Sequence, residues 1–509
     1  MSRSLFASLH RRYGERLSGA ERQQRLRIRL DAFNDESFKP TDPRARVDSS
    51  LRKRVIVVGG GFAGLNAAWT LAGNTDVTVL EARDRVGGRV HSLVNGATKR
   101  ITEAGGELIG YAHPTWLTLA QRFNLALVVW TSDGDFDALS LDMPTYVDGR
   151  LLSPSATETI YDEMNLVFAK MSRDAQLIKD PQRPWIGEHA NAFDQQPLSR
   201  WIADHSSSPL MRKALEIQFA NTNGAPSTHQ SYLANLALIA GAARHGKPDD
   251  FFTMSENVRC AEGNESLARA LAVDIEKRGG KIQLSSPVSK IQILADGLSV
   301  TPEGGKPIAA DFVVLAIPPS VWPSPTSKLV IDSPIPADYY MSMGTVVKYL
   351  SRSSTRFWLE EGRAPSGASD QCGMVWEGTD NQMQTPDQDV ELSLFAGGEA
   401  ANAAIDAFRR AGQGGVQQFY DDQITKMYAT YTQQRDPGTV FVNWPLEPWT
   451  MGGYSCPAPG DVCTVGPKLV EPFQERLYFA GEHTCLPFFG YMEGALQSGT
   501  RAAQAILRM

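Results

Sequence analysis

Between Arg54 and Gly73 the chain reads RVIVVGGGFAGLNAAWTLAG, and that run restricts its fold more than any other segment. A short apolar, β-branched strand, Arg54–Val58, leads into Gly59-x-Gly61-x-x-Gly64, and Leu65–Leu71 continues at helical spacing. Gly59 permits the tight turn, Gly61 lets the backbone approach a pyrophosphate, and Gly64 lets helix and strand pack closely. The helix start then offers unpaired amides and a positive dipole end to phosphates. Asp76–Leu80 (DVTVL) predicts a second buried strand, completing a parallel βαβ unit. Glu81 at its tip is placed to accept hydrogen bonds from ribose hydroxyls.

A second glycine loop follows at once, Arg83-Asp84-Arg85-Val86-Gly87-Gly88-Arg89. Paired glycines let this loop pass close to a pyrophosphate, and the arginines supply fixed cations. Far along the chain, Leu477–Ala480 (LYFA) predicts another strand, Gly481-Glu482 follows it, and Gly494–Ile506 reads as a helix with small residues on one face. Glu482 is suited to hydrogen-bond a ribityl or pyrophosphate region. Amides at Gly490-Tyr491-Met492, ahead of that helix, can face the electron-rich edge of a ligand ring. Two glycine-bearing stretches so far apart imply one extended ligand held between them, and FAD fits both. Lys281–Leu284 and Asp311–Ile317 predict further strands of the same sheet, so the ligand-binding domain is discontinuous.

A chain of 509 residues suits two interleaved domains. The expected fold is α/β: a Rossmann-like, glutathione-reductase-type FAD domain from 51–113, 257–327 and 441–509, with an α+β substrate domain from 114–256 and 328–440. Within the latter, Ser231–Ala243 predicts a helix, Val346–Leu350 and Val390–Phe395 predict strands, and a helix is expected around Gly415–Tyr431. Residues 1–50 form a basic segment with Leu5, Phe6, Leu9, Tyr13 and Leu17 near helical spacing. The expectation is a surface helix packed on the body, or an arm making a homodimer contact. Pro40 and Pro43 end any helix there.

The formal charge of −7 argues against nucleic acid as a partner. Five scattered cysteines give neither a disulfide framework nor a metal or redox pair, and a reduced, cytoplasmic setting is expected. No secretory leader is legible, and the longest apolar-leaning run falls short of the ~20 residues that span a bilayer. No membrane segment and no metal are expected.

Taken together, the opening motif, the Arg83–Arg89 loop and the closing FAGEHTCLPFFGYMEGALQSG resemble the flavin-containing amine oxidase family over nearly everything after residue 50. Carotenoid desaturases and protoporphyrinogen oxidase share the opening motifs but match the closing segment less well. The resemblance implies FAD contacts from Gly59, Gly61, Phe62, Ala63, Gly64, Glu81, Ala82, Arg83, Gly88, Arg89, Gly106, Glu107, Val288, Gly481, Glu482, Tyr491 and Met492. It implies that Lys348, in Met343-Gly344-Thr345-Val346-Val347-Lys348, orders a water at the reactive flavin nitrogen and assists electron transfer to dioxygen. A buried lysine needs such a reason, since an unpaired ammonium is costly there. Tyr491 and Tyr454 become the walls of an aromatic cage around the substrate nitrogen, with Trp444 and Trp449 close by.

Monoamine oxidases attach FAD through a cysteine just after two glycines, whereas Tyr454 follows Gly453 here and Cys456 lies two further on; non-covalent FAD is expected. Many L-amino acid oxidases pair the substrate carboxylate with an arginine in a Gly-x-Met-Arg segment, and Gly105-Gly106-Glu107-Leu108-Ile109-Gly110 lacks it. GGELIG with His113-Pro114-Thr115-Trp116, and Trp449–Tyr454, nevertheless resemble a bacterial and fungal L-amino acid oxidase branch. The implied reaction moves a hydride from the carbon beside a neutral amino group to the flavin. It gives an imine, then a keto acid or aldehyde plus ammonia, and dioxygen leaves as hydrogen peroxide. An L-α-amino acid oxidase is the first expectation. The alternatives are a monoamine or polyamine oxidase, a flavin monooxygenase giving an amide, and an FAD-holding interaction protein.

Overall fold

A computed structural model describes residues 4–14, 52–95, 98–131, 133–243, 250–322, 329–382 and 389–509. Its first sheet is parallel and five-stranded, built from β1 (Arg54–Val58), β2 (Asp76–Leu80), β3 (Lys281–Gln283), β4 (Phe312–Leu315) and β5 (Leu477–Phe479) in the order β5-β4-β1-β2-β3. These strands are short and nearly all apolar because both faces are covered, one by helices and the other by a four-stranded sheet. Val55, Val57, Val77, Val79, Val313 and Val314 are sealed from solvent. Helix α2 (Phe62–Leu71) leaves β1 through the glycine turn, and the last helix, α3 (Met492–Arg508), packs on it. That contact needs glycine: a Cβ on Gly499 would stand 2.3 Å from the Ala63 carbonyl oxygen.

The second large sheet has seven strands in the order Arg435–Asn443, Val346–Ser353, Val390–Gly397, Gly373–Glu377, Gly367–Ser369, Thr145–Val147, Arg150–Leu151. The sequence expectations meet this sheet at three points. The strand Arg435–Asn443 belongs to it and spans the boundary expected at 441. The helix expected around Gly415–Tyr431 runs instead from Gly398 to Ile424, with a break in helical geometry at Ala411 and Gly412. Within the 114–256 segment, Thr145–Val147 and Arg150–Leu151 extend the sheet. A separate four-stranded sheet (Val288–Leu294, Gly297–Pro302, Ile308–Ala310, Val330–Ile331) was not anticipated.

The N-terminal expectation is corrected more strongly. Helix α1 (Leu5–Tyr13) is neither a surface helix nor an exposed arm. It lies in the core against the helices Asp133–Ala138, Pro154–Ala175, Pro209–Asn223 and Asp250–Met254. Leu5 and Leu9 are fully buried, and Phe6 meets Phe168 edge-on at 4.7 Å. Its arginines are buried because acids meet them: Arg11 lies 2.6 Å from Asp133 and Arg12 3.2 Å from Asp137. The Arg/Leu-rich stretch that follows lies outside the described residues.

Candidate active site

One cavity of about 800 Å³ runs from the glycine turn of β1 to the region between the two large sheets. Every residue expected to contact FAD lines it, with Lys348, Tyr454, Trp444 and Trp449, except Gly64, whose place is packing: a Cβ there would sit 1.9 Å from the Gly59 carbonyl oxygen. Arg85, expected as a fixed cation, lies outside that lining and donates to the carbonyls of Gly88 and Val90. Gly59 has φ +105°, closed to most side chains. The second loop lies directly on the first, with Gly87 N–H donating to Gly60 O at 2.9 Å. Gly88 holds φ +58°, and a Cβ on it would come within 3.1 Å of Gly61 Cα. Two bare backbones thus face one space.

Two helices start at this cavity without a side-chain cap, α2 after Gly61 and α3 after Tyr491. Their first amides are left for a ligand. His483, 1% exposed, borders the same space, and neither ring nitrogen has a partner among the described residues. Burial pushes it down to about 3, so the ring is neutral. Uncapped helix starts, crossing glycine loops and an unengaged imidazole all fit a long ligand with phosphates in its middle.

The acids are braced from within the chain. Glu81 accepts from Gly60 N–H at 2.5 Å and Arg83 N–H at 2.8 Å. Glu482 is a four-way hub. One oxygen accepts from Arg89 at 2.9 Å and Ser455 N–H at 3.1 Å; the other accepts from Ser455 Oγ–H at 2.5 Å and Gly490 N–H at 2.7 Å. Burial alone would raise its carboxyl, but Arg89 and the hydrogen bonds from Ser455 and Gly490 hold it below the usual carboxylate range. Arg89 also donates to Gly453 O at 2.8 Å, tying the early loop to the late one.

At the other end of the cavity Lys348 projects from an interior strand, flanked by Val390–Gly397 and Arg435–Asn443. Its ammonium donates to Glu107 Oε2 at 2.6 Å and Glu103 O at 2.8 Å. Sequence reasoning assigned Glu107 to the cofactor; its carboxylate is engaged by Lys348 and by Trp376 Nε1–H at 3.0 Å. Tyr454 and Tyr491 meet around Gly490, whose Cβ would stand 3.0 Å from the Tyr454 ring. The Tyr454 hydroxyl is fixed on the carbonyls of Asn221 and Thr222, both at 3.0 Å. Trp449 lines the same cavity, next in sequence to Thr450, whose hydroxyl accepts from Arg83 at 2.8 Å.

Glu256 escaped the sequence reading. It borders the cavity, and its charge helps raise the hydroxyls of both Tyr454 and Tyr491, after burial and, for Tyr454, Tyr491 itself. No local motif marks it, since Ser255-Glu256-Asn257 resembles any loop. No cysteine lines the cavity, and Cys456 is buried beyond its wall, in keeping with FAD held without a covalent bond. No cluster of metal-binding side chains occurs among the described residues. No described helix is long and apolar enough to cross a membrane.

A two-loop pyrophosphate cradle joined to a cavity with a lysine and paired tyrosines defines a flavin-dependent oxidoreductase. The family model described as flavin containing amine oxidoreductase matches residues 62–507. A probable flavin-containing monoamine oxidase A of Dictyostelium discoideum is 24% identical over 89% of this chain and 97% of its own length. Amine oxidase [flavin-containing] A of Equus caballus is 23% identical over 89% and 84%. Among solved structures, wild-type putrescine oxidase bound to putrescine superposes with a TM-score of 0.74 at 22% identity, covering 90% of this chain and all (100%) of that one. Cyclohexylamine oxidase from Brevibacterium oxydans IH-35A gives 0.74 at 21% identity, covering 90% and 99%. The chain belongs to the flavin-containing amine oxidoreductase family, and its cofactor is FAD.

Proposed function

We propose that this amine oxidase acts on a primary amine that carries no α-carboxylate, with dioxygen as electron acceptor. The observation that carries the reading is the charge beside the tyrosines. Among the described residues the cavity's Arg and Lys side chains are Arg83, Arg89 and Lys348, each already engaged: Arg83 by Thr450 and Glu447, Arg89 by Glu482, Lys348 by Glu107. The charge acting on Tyr491 is the carboxylate of Glu256. An anion there repels a substrate carboxylate and attracts a cation. An L-α-amino acid needs the reverse.

When bound, FAD supplies the hydride acceptor and the electron route to dioxygen. The chain's own share is placement and exclusion of water. Tyr454 and Tyr491 hold the amino group between aromatic faces, and Glu256 favours substrates with a second positive centre. The putrescine ligand of one structural neighbour and the amine names of the relatives support this assignment.

The test is a peroxide-release screen across monoamines, α,ω-diamines and L-amino acids, followed by product analysis. Amine turnover with aldehyde as product is expected. Turnover of L-amino acids alone would overturn the reading, and an amide product would place the enzyme among the monooxygenases. Glu256→Gln should raise KM for a diamine about tenfold, as loss of one charge-assisted contact implies, and leave a neutral-tailed monoamine unchanged.

A further inference from the structure

Lys348 carries a carboxylate partner that its place in the cavity does not by itself explain. The lysine is 6% exposed at its side chain and Glu107 3%, so both charges have left water. Such a pair is favourable only when further hydrogen bonds, from the chain or from what fills the cavity, serve its remaining oxygens and N–H groups. Glu107 meets that condition with one oxygen on Lys348 and the other on Trp376 Nε1–H, at 2.6 and 3.0 Å. Its backbone is held as well, because Asn264 Nδ2–H donates to Glu107 O at 2.8 Å and to Gly106 O at 2.9 Å. Lys348 has three donors. Glu107 and the Glu103 carbonyl take two; the third has no partner among the described residues, and Lys348 borders the cavity. The indole contributes twice, since the ammonium also lies 5.7 Å from the Trp376 ring centroid.

We propose that Glu107, braced by Trp376, is a positioning residue that fixes the place of the Lys348 ammonium, and so sets how fast the reduced cofactor passes electrons to dioxygen. It acts through Lys348 and touches neither substrate nor dioxygen. Other acids lie nearby but do not replace it. The Glu103 carboxylate is spent on Asn264 N–H and Ser92 Oγ–H, both at 2.8 Å, and burial raises it to about 7. Glu391 faces Arg352 at 3.5 Å and burial raises it likewise to about 7, while the nearby cation, Arg259, donates to the carbonyl of Gly378 at 2.7 Å and to that of Asp380. Glutamine at 107 cannot serve both partners, because its amide nitrogen would point a donor at Lys348 or at the indole N–H.

The inference rests on the cavity being the flavin site, and the experiment separates the two. Holoprotein is reduced without air, mixed with aerated buffer and followed by flavin absorbance, for wild type, Glu107→Gln, Glu107→Asp, Lys348→Met and Glu107→Gln/Lys348→Met. Glu107→Gln should slow reoxidation about tenfold or more, the scale of one charge-assisted hydrogen bond, and the double variant should match Lys348→Met alone. Glu107→Asp should recover part of the rate. In apoprotein, competitive acetylation read by mass spectrometry should label Lys348 about tenfold faster in Glu107→Gln, reporting the same loss of pairing without flavin. Unchanged reoxidation and labelling in Glu107→Gln, or additive losses in the double variant, would overturn the proposal. Wild-type protein that binds no FAD would instead overturn the flavin site, and the labelling arm would still decide the pairing.

Discussion

Replacing Glu482 with glutamine distinguishes a residue that touches the cofactor from one that holds the cavity wall together. All four donors to the wild-type carboxylate come from the chain itself, two to each oxygen. Glutamine keeps the shape but can accept on one side only. In the better orientation its oxygen serves Arg89 and Ser455 N–H, its nitrogen donates to a rotated Ser455 Oγ, and Gly490 N–H is left without an acceptor. A buried orphan of that kind costs about 1–3 kcal/mol, and Arg89 loses a charged partner worth about 1–2 kcal/mol more. The apoprotein should therefore lose about 3 kcal/mol of unfolding free energy, measured by urea denaturation without FAD. The loss should depend on pH. Because the folded carboxyl lies below its unfolded value, its stabilisation is complete above the unfolded range and disappears as pH falls through the folded one. The gap between wild type and variant should thus close on acidification from about pH 6 toward pH 3. An apoprotein of unchanged stability whose FAD affinity alone falls about a hundredfold would refute the bracing role, and would restore Glu482 as a direct ligand.

Three further outcomes follow from geometry already described. Gly88→Ala forces an L-residue into φ +58° at a cost of about 1–2 kcal/mol; FAD affinity by fluorescence titration should weaken about tenfold while the apoprotein stays folded. Tyr454→Phe keeps the ring but frees the carbonyls of Asn221 and Thr222 from their shared donor. KM should rise about fivefold, for about 1 kcal/mol, with kcat little changed. Asp133→Asn removes the charge facing buried Arg11 and should cost about 3–5 kcal/mol in thermal or urea unfolding, far from the reacting atoms.

The parallel sheet was readable because its strands are short apolar runs bounded by glycine or turn residues, and β1 and β2 have the limits their sequence suggests. What escaped reading depended on partners distant in sequence. Arg11 and Arg12 look like surface residues until Asp133 and Asp137 arrive to neutralise them from 122 and 125 positions away. Glu107 and Lys348 are 241 residues apart, so no local pattern announces their pairing.

The order of strands in the parallel sheet also bears on how the enzyme comes into being. Its central strand, β1, is synthesised well before the outer strand β5 and the helix α3 that closes over α2, which arrive only with residues 477–508. A nascent chain displaying the first glycine loop lacks Glu482, Gly490 and the amides of α3, and cannot grip both halves of its ligand. Such long sequence separations slow folding and leave unfinished surfaces exposed. Flavin capture therefore waits for residues 477–508, and cofactor supply during expression should govern how much protein survives as holoenzyme.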